Sequence, residues 1–100
     1  MYLNEGDSMT VTVKMAAVIQ KLTDNQKEFT ADGNDIYNLI LNIEKRYPGF
    51  QSQILTDTEE VHQFLNIYVN DEDIRFLAGL KTTIGEGDIV SFLPALAGGQ

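Results

Sequence analysis

The spacing of apolar and polar residues changes several times along the chain, and each change marks an element. Thr10-Val11-Thr12-Val13-Lys14 alternates strictly, the period of a strand with one buried face. From Met15 to Leu22 the pattern is ambiguous, because Ala16, Ala17, Val18 and Ile19 suit either a longer strand or a short helix. Thr23-Asp24-Asn25 reads as a turn, and Gln26 to Ala31, with Phe29, is expected to return as a second strand. The period then becomes helical. Ile36, Leu39, Ile40, Ile43 and Tyr47 fall on one apolar stripe. Asp32-Gly33-Asn34-Asp35 breaks the chain ahead of it, with Asp35 or Asn34 available to cap the first free amides. Lys45 and Arg46 occupy the last turn, where the helix dipole favours cations, and Pro48-Gly49 ends the helix.

After the helix, Phe50 to Glu60 reads as a polar, turn-rich connection. Phe64 to Val69 predicts a strand, Asn70 to Asp73 a turn, and Ile74-Arg75-Phe76 a short return strand. Leu77 to Glu86 contains Gly79 and Gly85 and reads as a loop. Gly87-Asp88 leads into Ile89-Val90-Ser91-Phe92-Leu93, apolar enough for a central strand, and Pro94 is expected to stop it. The first strand and the strand after the helix cannot be hairpin partners, so a right-handed crossover is expected. One helix covers only one face of a sheet. The expected class is therefore α+β, with one main helix on one face of a mixed four- to five-stranded sheet. Residues 9–94 are expected to form the domain, with 1–8 a candidate disordered extension (Met9 being an alternative start) and 95–100 an expected flexible tail.

Composition narrows the chemistry. With 100 residues, 43% of them hydrophobic and 22% charged, the chain is one small globular domain. Seven Lys and Arg against 15 Asp and Glu give a net charge of −8, which repels phosphate backbones and anionic membranes. Neither nucleic acid nor membrane is an expected partner; a protein with a basic docking face is. The absence of cysteine excludes a disulfide framework, a thiolate zinc site and a nucleophilic thiol, and fits a reducing compartment. No apolar run approaches the roughly 18 residues needed to span a bilayer. Met1 to Ser8 lacks the basic and apolar regions of a signal peptide, so the expected location is cytoplasmic.

His62 beside Glu59 and Glu60 fits no metal-ligand spacing and reads as a solvated residue near a strand start. Asp71-Glu72-Asp73 lacks the spaced ligands of a calcium loop and reads as a charged turn, with Arg75 pairing to it or facing a partner. Tyr37, Tyr47 and Tyr68 read as structural. No paired-carboxylate site, P-loop or nucleophile–base pair is present in the sequence.

Two blocks carry a resemblance. Asn66-Ile67-Tyr68-Val69-Asn70-Asp71-Glu72-Asp73-Ile74-Arg75-Phe76-Leu77 and Gly87-Asp88-Ile89-Val90-Ser91-Phe92-Leu93-Pro94-Ala95-Leu96-Ala97-Gly98-Gly99 together resemble the ubiquitin-like sulfur carriers of the MoaD/ThiS family. Within it the chain is most similar to the cysteine-biosynthesis-type and MoaD-like carriers, over about residues 10–99. The resemblance implies a β-grasp fold and a co-substrate, not an enzyme. It implies that Gly99 is adenylated by an E1-like enzyme using ATP and Mg, none of which this chain binds as a cofactor. Gly99 then becomes a thiocarboxylate that donates sulfur to a biosynthetic acceptor enzyme. Gly98 gives access, since a residue without Cβ lies close against a partner's backbone. Gln100 departs from the pattern: either a JAMM-type metalloprotease removes it, or it is a cloning remnant. Members of the family present an apolar sheet face to the activating enzyme, and by position Ile74, Phe76 and Leu93 are candidates, with Phe92 and Leu96 behind them. On a regular strand Phe92 and Leu93 cannot both face inward. The alternative functions are the small subunit of molybdopterin synthase, a ubiquitin-like modifier joined to lysines through Gly99, and a β-grasp binding module without covalent chemistry.

Overall fold

The computed structural model of the chain describes residues 10–95. Five strands form one mixed sheet: β1 (Thr10–Met15), β2 (Glu28–Asp32), β3 (Leu65–Val69), β4 (Glu72–Asp73) and β5 (Ile89–Pro94). Their order is β2-β1-β5-β3-β4. β1 and β5 run parallel, and every other neighbouring pair is antiparallel. The first and last strands of the sequence thus lie side by side at the centre. β1 and β3, the first strand and the strand after the helix, are separated by β5 and so are not partners.

Helix α1 (Ile36–Arg46) buries Ile36, Leu39, Ile40 and Ile43 completely against the sheet. Asp35 caps it, its Oδ1 accepting the Asn38 N–H at 2.8 Å. The facing strand residues alternate as their pattern requires: Val11, Val13 and Met15 of β1, Val90 and Phe92 of β5, and Leu65, Ile67 and Val69 of β3 are all buried.

Two segments differ from expectation. Phe50–Ile54 is a short helix, α2, and not a polar connection. Its Phe50 and Ile54, with Leu55 beyond it, are buried, and Phe50 meets Phe92 edge-to-face at 5.4 Å. Five residues are too few for a helical period to show in sequence; the segment is held by tertiary contacts, among them the Glu44 carboxylate accepting the Gln51 N–H at 2.8 Å. The return strand after the turn starts earlier than expected. Asn70 (φ 50°) and Asp71 (φ 77°) both lie in the left-handed region, which makes a two-residue hairpin and places β4 at Glu72–Asp73. Asp73 then accepts the Arg75 N–H at 2.8 Å and turns the chain into a 3-10 turn at Ile74–Phe76. The ambiguous stretch after Met15 resolves as a 3-10 helix, Ala17–Thr23.

The β2 edge of the sheet is covered by α1. The outward carbonyls of Thr30 and Asp32 accept from Arg46 Nη1 (2.6 Å) and Asn42 Nδ2 (2.8 Å), and the Arg46 guanidinium lies over the Phe29 ring at 5.0 Å. A strand edge whose carbonyls are occupied is a poor template for pairing with another chain.

Candidate functional site: the end of β5 and the outer sheet face

The paired blocks Asn70–Asp73 and Gly87–Asp88 come together in space as a clasp. Asn70 Nδ2 donates to Asp88 Oδ1 (2.9 Å), Asn70 Oδ1 accepts the Ile89 N–H (2.9 Å), and Asp88 Oδ2 accepts the Gly85 N–H (2.8 Å). Gly87, at φ 88°, makes the turn that brings Asp88 into place. These residues align the start of β5 with the β3–β4 hairpin and so fix the register of the strand that leads into the tail.

At its other end β5 continues through Pro94, contrary to the expectation that proline would stop it. Backbone groups of Asp88 and Phe92 bond toward β1, while those of Ile89 and Ala95 bond toward β3. Pro94 therefore faces the β1 side, where its missing N–H has no partner to lose because β1 has ended at Met15. One more hydrogen bond follows, from Ala95 N–H to the Phe64 carbonyl at 2.8 Å. Leu96, Gly98, Gly99 and Gln100 lie outside the described residues, as does the extension at 1–8.

Of the five apolar docking candidates, the four within the described residues separate. Leu93 faces outward and is 36% exposed, opposite Asn66 on β3. Phe76 is 78% exposed. Phe92 is fully buried, because its partner Ile67 belongs to the core face. Ile74 is 3% exposed and is corrected to a core position. On a strand, residues two apart would share a face; in the 3-10 turn Ile74–Phe76 they do not, so Ile74 is buried while Phe76 is exposed. Ile74 instead helps floor a groove of about 530 Å³ between residues 59–63, β3 and the turns at 74–81.

Val18, Phe64 and Leu77 are also exposed, and of these Phe64 stands nearest the end of β5. Phe64, whose carbonyl takes the last bond of the sheet, is 55% exposed. Phe64-Leu65 is a doublet like Phe92-Leu93, and with Leu65 buried the alternation sends Phe64 outward. His62 stacks on its ring, with centroids 4.8 Å apart and planes 18° from parallel.

Arg75 pairs with the turn, as one of its two expected roles had it. Its guanidinium makes a 2.8 Å ion pair with Asp73, whose side chain is 6% exposed while that of Arg75 is 69% exposed. The side-chain hydrogen bond from Arg75 holds the Asp73 carboxyl below its ordinary value near 3.8, against the opposing effect of burial. A carboxyl with a lowered folded pKa stabilises above its unfolded pKa and loses that contribution as pH falls through the folded value. The difference in Tm between the unaltered chain and Asp73→Asn is therefore expected to be largest at neutral pH and to close below about pH 4. A difference that grew on acidification, followed by circular dichroism, would contradict the pairing. Among the described residues, no three His, Asp or Glu side chains are grouped to hold a metal ion, and no helix is long and apolar enough to cross a membrane.

Comparison with known proteins converges on one family. The ThiS family model matches residues 13–99. The sulfur carrier protein CysO of Mycobacterium tuberculosis H37Rv is 41% identical over 93 residues, covering 91% of this chain and all of that protein. The crystal structure of M. tuberculosis CysO superposes with a TM-score of 0.80 at 39% identity, covering 86% of this chain and 99% of that one. The Amycolatopsis orientalis BexX/CysO complex gives a TM-score of 0.80 at 38% identity, covering 88% and 98%. These neighbours share the ubiquitin-like β-grasp architecture described above.

Proposed function

The chain belongs to the ThiS family, and from that premise we propose that it is a sulfur carrier acting through the carboxyl group of Gly99. The carboxylate attacks the α-phosphorus of ATP held with Mg by an E1-like enzyme, and pyrophosphate leaves. Sulfide-level sulfur then displaces AMP from the acyl adenylate, giving a thiocarboxylate that an acceptor enzyme consumes in making cysteine, methionine or a sulfur-containing cofactor. The chain is a co-substrate in each step and contributes no catalytic side chain. Gly98 lets the tail lie extended within a narrow channel. Gln100 is removed beforehand, by a metalloprotease of the JAMM type. Leu93 and Phe76 present apolar surface to the activating enzyme, and the net charge of −8 speeds encounter with a basic docking face.

The observation that supports this reading is the attachment of the tail. β5 is hydrogen-bonded as far as Ala95, four residues before Gly99, so a strand at the centre of the sheet carries the reactive terminus on a short tether. The test is the intact mass of the chain purified untagged from its native cells. The expected result is a species ending at Gly99, part of it with sulfur in place of one oxygen. Gln100 retained throughout, with no sulfur, would overturn the proposal.

A further inference from the structure

We propose that Phe64 is a contact residue for the protein that takes hold of residues 96–99, and that with Leu93 it forms an apolar anchor beside the base of the tail. This rests on the carrier function proposed above. Ala95 donates its N–H to the Phe64 carbonyl at 2.8 Å, and five residues follow it in the sequence. A protein that encloses those residues is brought up against the backbone pair from which they issue. The Phe64 ring, 55% exposed, stands at that pair. Leu93 is exposed two residues before Ala95.

The ring is also ordered in advance. His62 stacks on it at 4.8 Å, so little side-chain freedom is left to lose when a partner covers it. Aromatic side chains are enriched in interfaces, and a truncated anchor commonly costs tenfold or more in affinity. Glu59 and Glu60 lie exposed in the same loop as His62. The partner this surface fits is the activating enzyme, bearing an apolar pocket with basic residues at its rim.

The experiment is ATP–pyrophosphate exchange by the E1-like adenylating enzyme of the same organism, with the chain ending at Gly99 as substrate. Phe64→Ala is expected to raise the KM for the carrier tenfold or more with kcat within twofold. Leu93→Ala moves KM in the same direction and Phe64→Tyr restores most of the loss. Thr83→Ala, an exposed site bridged to Asp35 near the start of α1, leaves KM unchanged. The Tm of Phe64→Ala is expected to stay close to that of the unaltered chain. If that variant unfolds, Phe64→Lys, which keeps a long side chain over the same surface, carries the same expectation. A folded Phe64 variant, Ala or Lys, with KM within twofold of the unaltered chain would overturn the inference alone. No exchange with the unaltered chain would overturn the carrier function beneath it.

Discussion

A chain that stops at Gly98 is expected to lose adenylation by more than roughly 10²-fold relative to one that stops at Gly99. Removing a residue withdraws the carboxylate by about 3.4 Å when the tail is extended. Misplacing a reacting group by about 1 Å already costs on the order of 10²-fold. The reference strand does not move to compensate: β5 is bonded to neighbours on both sides, and its register is held by the Asn70–Asp88 clasp. Retaining Gln100 displaces the carboxylate in the other direction and is expected to be as damaging. Pyrophosphate exchange on chains ending at Gly98, Gly99 and Gln100 measures this directly. Equal rates from the first two would rule out Gly99 as the site of activation.

Alanine at Gly33 is expected to destabilise the fold by about 3 kcal/mol, as backbone overpacking at a buried site does. A Cβ placed there lies 2.7 Å from the Leu39 Cα and 2.8 Å from its backbone nitrogen. The obstacle is the helix backbone itself, so relief requires moving α1 off the sheet rather than turning a side chain. For a domain of this size each kcal/mol shifts Tm by roughly 4–8 °C, and a fall of more than 10 °C is expected in thermal denaturation. Gly85→Ala, where an added Cβ meets nothing within 4 Å, is the matched control and is expected to leave Tm nearly unchanged. A Gly33→Ala chain as stable as that control would mean that the contact between this turn and α1 relaxes without cost.

Where the sequence carries a long period or a local cap, structure follows it closely. The stripe Ile36-Leu39-Ile40-Ile43 is the buried face of α1, Asp35 is its cap, and the alternation of Thr10–Lys14 is the two-sidedness of β1. What the sequence leaves open depends on partners distant along the chain. The choice between Phe92 and Leu93 is made by pairing with Ile67, which belongs to the core face, and no local pattern states it. The burial of Ile74 follows from Asp73 diverting the chain out of the strand one residue earlier. Phe64 acquires its position from a bond to Ala95, 31 residues away in sequence, and α2 exists because Phe50 has Phe92 to pack against. The Gly98-Gly99 pair was legible from the chain and its company of upstream motifs, but it lies outside residues 10–95, so its role rests on chemistry and family.

The bond between Ala95 and Phe64 also acts as a ruler. Between it and the Gly99 carboxyl group proposed for activation stand only Leu96, Ala97, Gly98 and Gly99, a maximum span of about 14 Å at full extension. An enzyme that seats itself on the outer sheet face can reach the carboxylate only if its nucleotide lies within that radius of the docking surface. Affinity for the sheet is therefore not sufficient for reaction: a protein could bind the domain tightly and still be excluded as an activator by the depth of its own active site.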